Sequence, residues 1–277
     1  TLIAAALYQF AFVNPKFFSY AMELRAPRLI VMLTAGFSIS AAAIVFQTII
    51  RNNIVTPCLL GMNSLYLLIH TAVVFFFGSG SQFATNPVMA FAVDIVLMGV
   101  IATFIYYSIF KKTGGNVLYV LLIGTVLSTF FSSMQNSLTR IMDPNEYDAL
   151  LNTLVASFTN VNMACIIPGI LILVLIALWL RKDIAILDII SLGRDQAISL
   201  GVDYERVLRR LMVGVALYIA VATALVGPLS FLGLITANVA RQVFTTYRHT
   251  YLIAGAGFVG MLILCAGQFA VDRALGA

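Results

Sequence analysis

Charge is scarce in this sequence: 10% of its 277 residues are charged, 61% are hydrophobic, and the mean hydropathy is +1.02. Soluble proteins average about 25% charged residues. A water-soluble domain of this length could not hide so much apolar surface, so that class is excluded and an integral membrane protein is the one that fits. Cysteine is scarce too. Cys58, Cys165 and Cys265 lie far apart in apolar or span-end contexts without CxxC spacing, which argues against a disulfide framework and leaves packing thiols. The two histidines, His70 and His249, are not clustered, so no metal site is expected. No G-x-x-x-x-G-K-[ST] phosphate loop occurs, so nothing in the chain cradles ATP. Barrel-type alternation is absent as well. The net charge of +5 is no nucleic-acid signal, because the basic residues sit mainly at the ends of apolar runs and read as orientation markers.

What the chain does have is long apolar runs separated by short polar breaks, the pattern of transmembrane helices. The opening run "TLIAAALYQFAFV" is too short for a bilayer that needs about 20 residues, and it reads as the tail of a first span. Further spans are expected over 29–50, 59–77, 88–110, 117–134, 162–180, 211–226, 229–244 and 251–270. That makes nine spans, the first partial, in one transmembrane domain over residues 1–277. An all-α bundle follows, since lipid demands that backbone groups be satisfied within each segment. If the loop after the first span faces outward, eleven of the sixteen lysines and arginines fall on one side and five on the other. The first side is then cytoplasmic.

Of the 27 charged residues, 11 lie between Arg181 and Arg210 on that inner side. Within this stretch, residues 187–203 form a distinct segment. Ser191 is expected to cap a short helix over 194–200, Gly201 to end it in the left-handed region, and Asp203 to cap the helix that enters the next span. Such a helix would be about 12 Å long. It could be a solvated connector, or a stiff peg that docks in a groove of a cytoplasmic partner and passes a rigid-body movement to the membrane helices.

Other residues stand out. Arg25 and Arg28, three apart at the outer entry to the second span, could snorkel to lipid headgroups or pair with carboxylates of an external protein, a task suited to the planar guanidinium fork. "GFSISAAA" (36–43) predicts close helix packing. Asp94 is the one carboxylate inside a span, and with no second acid or histidine near it in sequence it is expected to serve structure rather than proton relay. His70 has no acid three or four residues away, which places an intramembrane enzyme last among the readings. The fifth span carries Thr125, Ser128, Thr129, Ser132, Ser133, Gln135 and Asn136, either lining a pathway or bonding back to their own helix.

Three ordered motifs resemble the permease subunits of ABC importers for iron–siderophores, haem and cobalamin. "ELRAPRLIVMLTAGFSISAAAIVFQTIIRNNIVTPCLLG" (23–61) looks like the family's R-x-P-R opening and its Q-x-x-x-R-N…P-x-x-L-G exit. "LGRDQAISLGV" (192–202) looks like L-G-x-x-x-A-x-x-L-G-V, and "VGPLSFLGLITANVAR" (226–241) resembles the G-P-x-x-F-x-G-L block. The family usually has Pro-His where Ala237-Asn238 stand here, and that departure, with "TPCLLGMNSLYLLIHT" (56–71), resembles the branch of paired, non-identical permeases for catecholate-type siderophores.

The resemblance implies a ten-span, multi-pass protein of the bacterial inner membrane that is not itself an enzyme. By that pattern the sequence, which stops at "DRALGA", would lack the tenth span and be truncated at both ends. The implied partners are cytoplasmic ATPase subunits that bind the ATP, a second permease subunit, an extracytoplasmic substrate-binding protein and the bilayer. The implied coupling residues are Leu192, Gly193, Asp195, Ala197, Leu200 and Gly201; the implied docking residues are Arg25, Arg28 and Arg273. A pathway between two permeases would involve Ser128, Ser132 and Gln135, with Gly114 and Asn116 at its cytoplasmic mouth. The competing class is an ion- or proton-coupled secondary transporter, which would want buried ionisable residues or inverted repeats.

Overall fold

A computed structural model describes residues 1–10, 18–113, 117–159 and 161–274. Among these residues the chain is helical throughout, with no strand. The helices are α1 (Leu2–Phe10), α2 (Phe18–Ile50), α3 (Asn63–Phe77), α4 (Gln82–Thr85), α5 (Pro87–Thr113) and α6 (Val117–Ile141). They continue with α7 (Pro144–Leu154), α8 (Met163–Ile190), α9 (Arg194–Ser199), α10 (Tyr204–Val226), α11 (Leu232–Val243) and α12 (His249–Ala274). A π-helical turn, Cys58–Met62, leads into α3. Tyr106 of α5 donates its hydroxyl to the Leu60 carbonyl at 3.0 Å, so an acceptor in this irregular turn does not go unpaired in a dry interior.

Seven helices, among the described residues, are long and apolar enough to cross a membrane: α2, the π-turn with α3, α5, α6, α8, α10 and α12. The expected nine are not reproduced. The opening run forms only the nine residues of α1, and the expected span over 229–244 contains only the twelve of α11. Twelve residues reach about 18 Å, well short of a hydrocarbon core of about 30 Å. Contacts nevertheless show that the segment carrying α11 connects the two ends of the bundle. At its start Gly227 lies against Ala156, and Ser157 N–H donates to the Val226 carbonyl at 2.8 Å. At its end His249 binds Asp188 on the last turn of α8. The "GPLSF" stretch (227–231) leaves the chain non-helical before α11, so the rise is shared between non-helical backbone and a short helix.

Other boundaries differ in instructive ways. α2 begins at Phe18, so Arg25 and Arg28 lie within it rather than before it. α8 runs on to Ile190 and makes the first part of the charged stretch helical. The break "MDPNEYDALLN" forms α7, started by Asp143, whose side chain accepts from Asn145 N–H, and by Pro144 at the first helical position.

The packing centre is α2, the most fully buried of the apolar spans together with α10. The small-residue run expected to allow close approach does so against α12: a Cβ on Gly36 would lie 2.9 Å from the backbone carbon of Gly260. Ser40 avoids leaving a polar atom stranded there by donating to the Gly36 carbonyl at 2.6 Å. By contrast α6 is mostly exposed, with Leu118, Leu122, Val126 and Phe130 on its open side.

Candidate functional site

At the inner end, α9 is a six-residue helix, about 9 Å long. Its N-cap is Gly193, at φ 113°, and not Ser191; the Ser191 hydroxyl instead donates to the Asp188 carbonyl at 2.7 Å. The chain reverses so sharply after α8 that only a left-handed residue connects the two helices, and a side chain there would also come within 2.9 Å of Arg51 Nη1. Gly201 ends the helix at φ 82°, as its position predicts, with open space around it. Asp203 caps α10, accepting from Arg206 N–H at 3.2 Å.

The residues of α9 divide between two faces. Ala197 is fully buried in the bundle, which seats the helix. Leu192, Ile198 and Leu200 are exposed, Leu200 by 62%, and the Asp195 side chain is almost wholly in solvent. Charges around the helix are paired: Arg194 Nε lies 3.5 Å from Glu205 Oε1, and Arg210 Nη1 lies 3.7 Å from the buried Asp183 Oδ1. Beneath it, the exit of α2 is built from Gln47, whose Nε2 donates to the Asn53 carbonyl at 2.8 Å. Asn238, one of the two residues that depart from the family pattern, donates to the same carbonyl at 3.2 Å and to the Leu234 carbonyl at 2.8 Å.

At the outer end, Arg25 and Arg28 are half-buried in α2 and Arg273 is exposed on the last turn of α12. Arg25 Nη1 donates to the Tyr8 carbonyl at 3.0 Å, so part of its charge serves the C-terminal end of α1, where unpaired carbonyls favour a cation. The charges of Asp272, Arg28 and Arg25 all act on the Tyr8 hydroxyl, which places the ends of α2 and α12 in one neighbourhood.

Of the expected pathway residues, Gly114 and Asn116 lie outside the described residues. Ser128 and Ser132 both meet Ser64 of α3, each at 3.1 Å, and so form a serine cluster between α3 and α6. Thr129 and Ser137 bond back to their own helix at 2.9 and 2.8 Å. Gln135 is half-buried on the same helix.

Two histidine–aspartate pairs are brought together that linear spacing hides. His249 Nδ1 lies 2.6 Å from Asp188 Oδ1, and the His249 backbone N–H donates to the same oxygen at 2.9 Å. His70 Nδ1 lies 3.1 Å from Asp94 Oδ1 inside the membrane region, with Tyr66 tilted against the imidazole at 5.2 Å. The expectation that Asp94 and His70 lack ionisable partners is therefore corrected: α3 and α5 supply them to each other. The pair lies between a cavity of about 80 Å³ and one of about 290 Å³, the second lined also by Ser157, Asn162 and Cys165. Among the described residues, no group of three or more His, Cys, Asp or Glu could hold a metal.

Residues 3–276 match the FecCD transport family. The chain belongs to that family. It is 36% identical over 264 residues to the petrobactin import system permease protein YclO of Bacillus subtilis (strain 168), covering 95% of this chain and 84% of that protein. It is 32% identical over 251 residues to the petrobactin permease FatC of Bacillus anthracis, covering 90% of this chain and 70% of the relative. The ferric enterobactin permease FepG of Escherichia coli (strain K12) is 25% identical over 259 residues, covering 91% and 73%. The fold matches a solved inward-facing structure described as a metal-chelate type ABC transporter, with a TM-score of 0.74 at 22% identity, covering 95% of this chain and 84% of that one. Seven apolar helices and bacterial relatives across its length make this FecCD chain a multi-pass inner-membrane protein.

Proposed function

We propose that this FecCD chain is the permease subunit of an ABC importer that moves an iron–siderophore chelate into the cytoplasm, driven by ATP bound on a separate ATPase. The observation that carries the reading is α9. It is seated by Ala197, entered and left through left-handed glycines, and turns Leu192, Asp195, Ile198 and Leu200 outward at the inner end. A short helix fixed on both sides to membrane helices transmits displacement; a flexible loop would absorb it. The petrobactin import permeases among the relatives support a chelate as the cargo; a catecholate-type siderophore, a paired second permease and an extracytoplasmic binding protein complete the proposal. Ser128, Ser132 and Gln135 then belong to the α6 side of the pathway, and Arg25, Arg28 and Arg273 to the docking surface.

The test is reconstitution in proteoliposomes with the cognate second permease, ATPase and binding protein. Uptake of a labelled ferric catecholate should require ATP, and Gly193→Val with Gly201→Val should leave insertion intact while hydrolysis no longer drives uptake. The buried His70–Asp94 pair is a feature a proton-coupled carrier would want. Uptake driven by a proton gradient without any ATPase would overturn the proposal in favour of that carrier.

A further inference from the structure

The two helices that carry the outer arginines are also the two that grip the coupling segment from outside its own chain connections. α2 has Arg25 and Arg28 near its outer end, and Arg51, at φ 58°, directly after its inner end. The Arg51 guanidinium lies against Gly193, the residue that starts α9. α12 has Arg273 on its last turn and begins at His249, whose ring and backbone N–H both bind Asp188 just before the α9 turn. Asp188 therefore caps α12 from a different helix, satisfying an N–H that the first turn cannot pair internally. Ser191 in turn donates to the Asp188 carbonyl, which ties that cap to the turn itself.

Between the two ends, α2 and α12 pack backbone to backbone at Gly36 and Gly260, with Phe37 over Gly257. Close contacts of this kind resist sliding, because at Gly36 the neighbouring atoms are backbone and cannot give way. Each helix reaches about 35 Å between its arginine and its inner contact. The contrast is with α8 and α10, the covalent neighbours of α9. Arg210 and Asp183 tie these two together, and neither helix carries an outer arginine from the docking set.

We propose that α2 and α12 form a single strut that relays docking of the binding protein at the outer face to the coupling helix at the inner face, with His249, Asp188 and Arg51 as its positioning residues. The inference rests on the coupling role proposed for α9 and on the docking role proposed for Arg25, Arg28 and Arg273. Relay needs a contact that can be made or released, and the double hydrogen bond from His249 to one carboxylate oxygen is such a contact.

The experiment uses the complete transporter in nanodiscs and measures ATP hydrolysis with and without chelate-loaded binding protein. His249→Phe keeps the ring and loses the Nδ1 donor. Stimulation by the binding protein should fall at least about fivefold, the lower bound for a typical coupling between sites. Basal hydrolysis and retention of the ATPase should stay at the wild-type level. His249→Asn, whose amide nitrogen stands where Nδ1 was, should restore most of the stimulation, an effect that loss of packing alone does not predict.

If His249→Phe fails to fold, His249→Asn and Asp188→Ala, which removes the acceptor of both hydrogen bonds, decide the matter: wild-type stimulation in a folded Asp188→Ala transporter overturns the strut. Normal stimulation in His249→Phe overturns it too. Should α9 variants uncouple transport while His249 variants do not, the strut alone fails. Should the wild-type chain retain no ATPase, the proposed function fails with it.

Discussion

The chain holds two histidine–aspartate pairs, and their surroundings are opposite. In His249–Asp188 the carboxylate is 44% exposed and takes two N–H donors from one residue at the edge of the bundle. In His70–Asp94 the carboxylate is 4% exposed, and the ring nitrogen is the donor the geometry offers it. Solvent supports the first aspartate if the histidine is lost, and α12 still presents its backbone N–H. The second is buried between two cavities. An inner-edge pair that survives partial loss suits a contact that is made and broken. A buried pair whose members depend on each other suits a fixed joint between α3 and α5.

The largest expected effect sharpens that contrast. His70→Leu strands Asp94 without its partner, and breaking a buried pair in this way destabilises by about 3 kcal/mol or more. The loss should appear as a lower unfolding midpoint in detergent. The double variant His70→Leu with Asp94→Leu should recover most of it, because no polar group is then left stranded. If the double variant is as unstable as the single one, the two residues do not act as a pair. His249→Leu should be milder, at about 1 kcal/mol, since its partner keeps one N–H donor and water. Equal losses in the two single variants would erase the distinction between joint and contact.

Neither pair was legible in the sequence, and the reason is geometric. Helical reasoning looks three or four residues along a chain, whereas these partners are 24 and 61 residues apart and meet only once the helices pack. What the sequence reveals well is apolar length: α2, α5, α10 and α12 each stand where a long run predicts a helix. It misleads where charge and helix coexist. The expected span ended at residue 180, yet α8 continues through Arg181, Lys182 and Asp183, with Asp183 buried and paired to Arg210 while the two basic residues stay exposed. It misleads again at α11, where hydropathy over 229–244 promised a full span and "GPLS" withheld the backbone. In the coupling segment the glycine at 201 was readable from its place after the helix. The cap at Gly193 was not, because a serine two residues earlier looked chemically better suited.

Glycine substitutions test the inner end at an intermediate size. Gly201→Ala meets no neighbour, so its effect should be the left-handed backbone penalty alone, about 1 kcal/mol. Gly193→Ala adds a displaced Arg51 to the same penalty and should lose more stability and more coupling. Thermal unfolding and the ratio of transport to hydrolysis separate the two contributions. Identical behaviour at both positions would mean that the Arg51 contact does nothing.

The smallest effect belongs to the outer arginines, and here too two residues of one type should part company. Arg273→Glu changes an exposed side chain, where an ion pair with a partner contributes about 0–1 kcal/mol and is screened by salt. Docking of the binding protein should weaken at low ionic strength and approach wild type at high. Arg25→Glu also removes the donor to the Tyr8 carbonyl and sets a negative charge at the C-terminal end of α1, which disfavours it by about 0.3–1 kcal/mol. It should therefore weaken docking and lower the unfolding midpoint slightly, a double signature that surface plasmon resonance and thermal denaturation would register separately. Docking indifferent to both reversals at every salt concentration would return these arginines to the lipid headgroups, and with them would go the outer end of the strut.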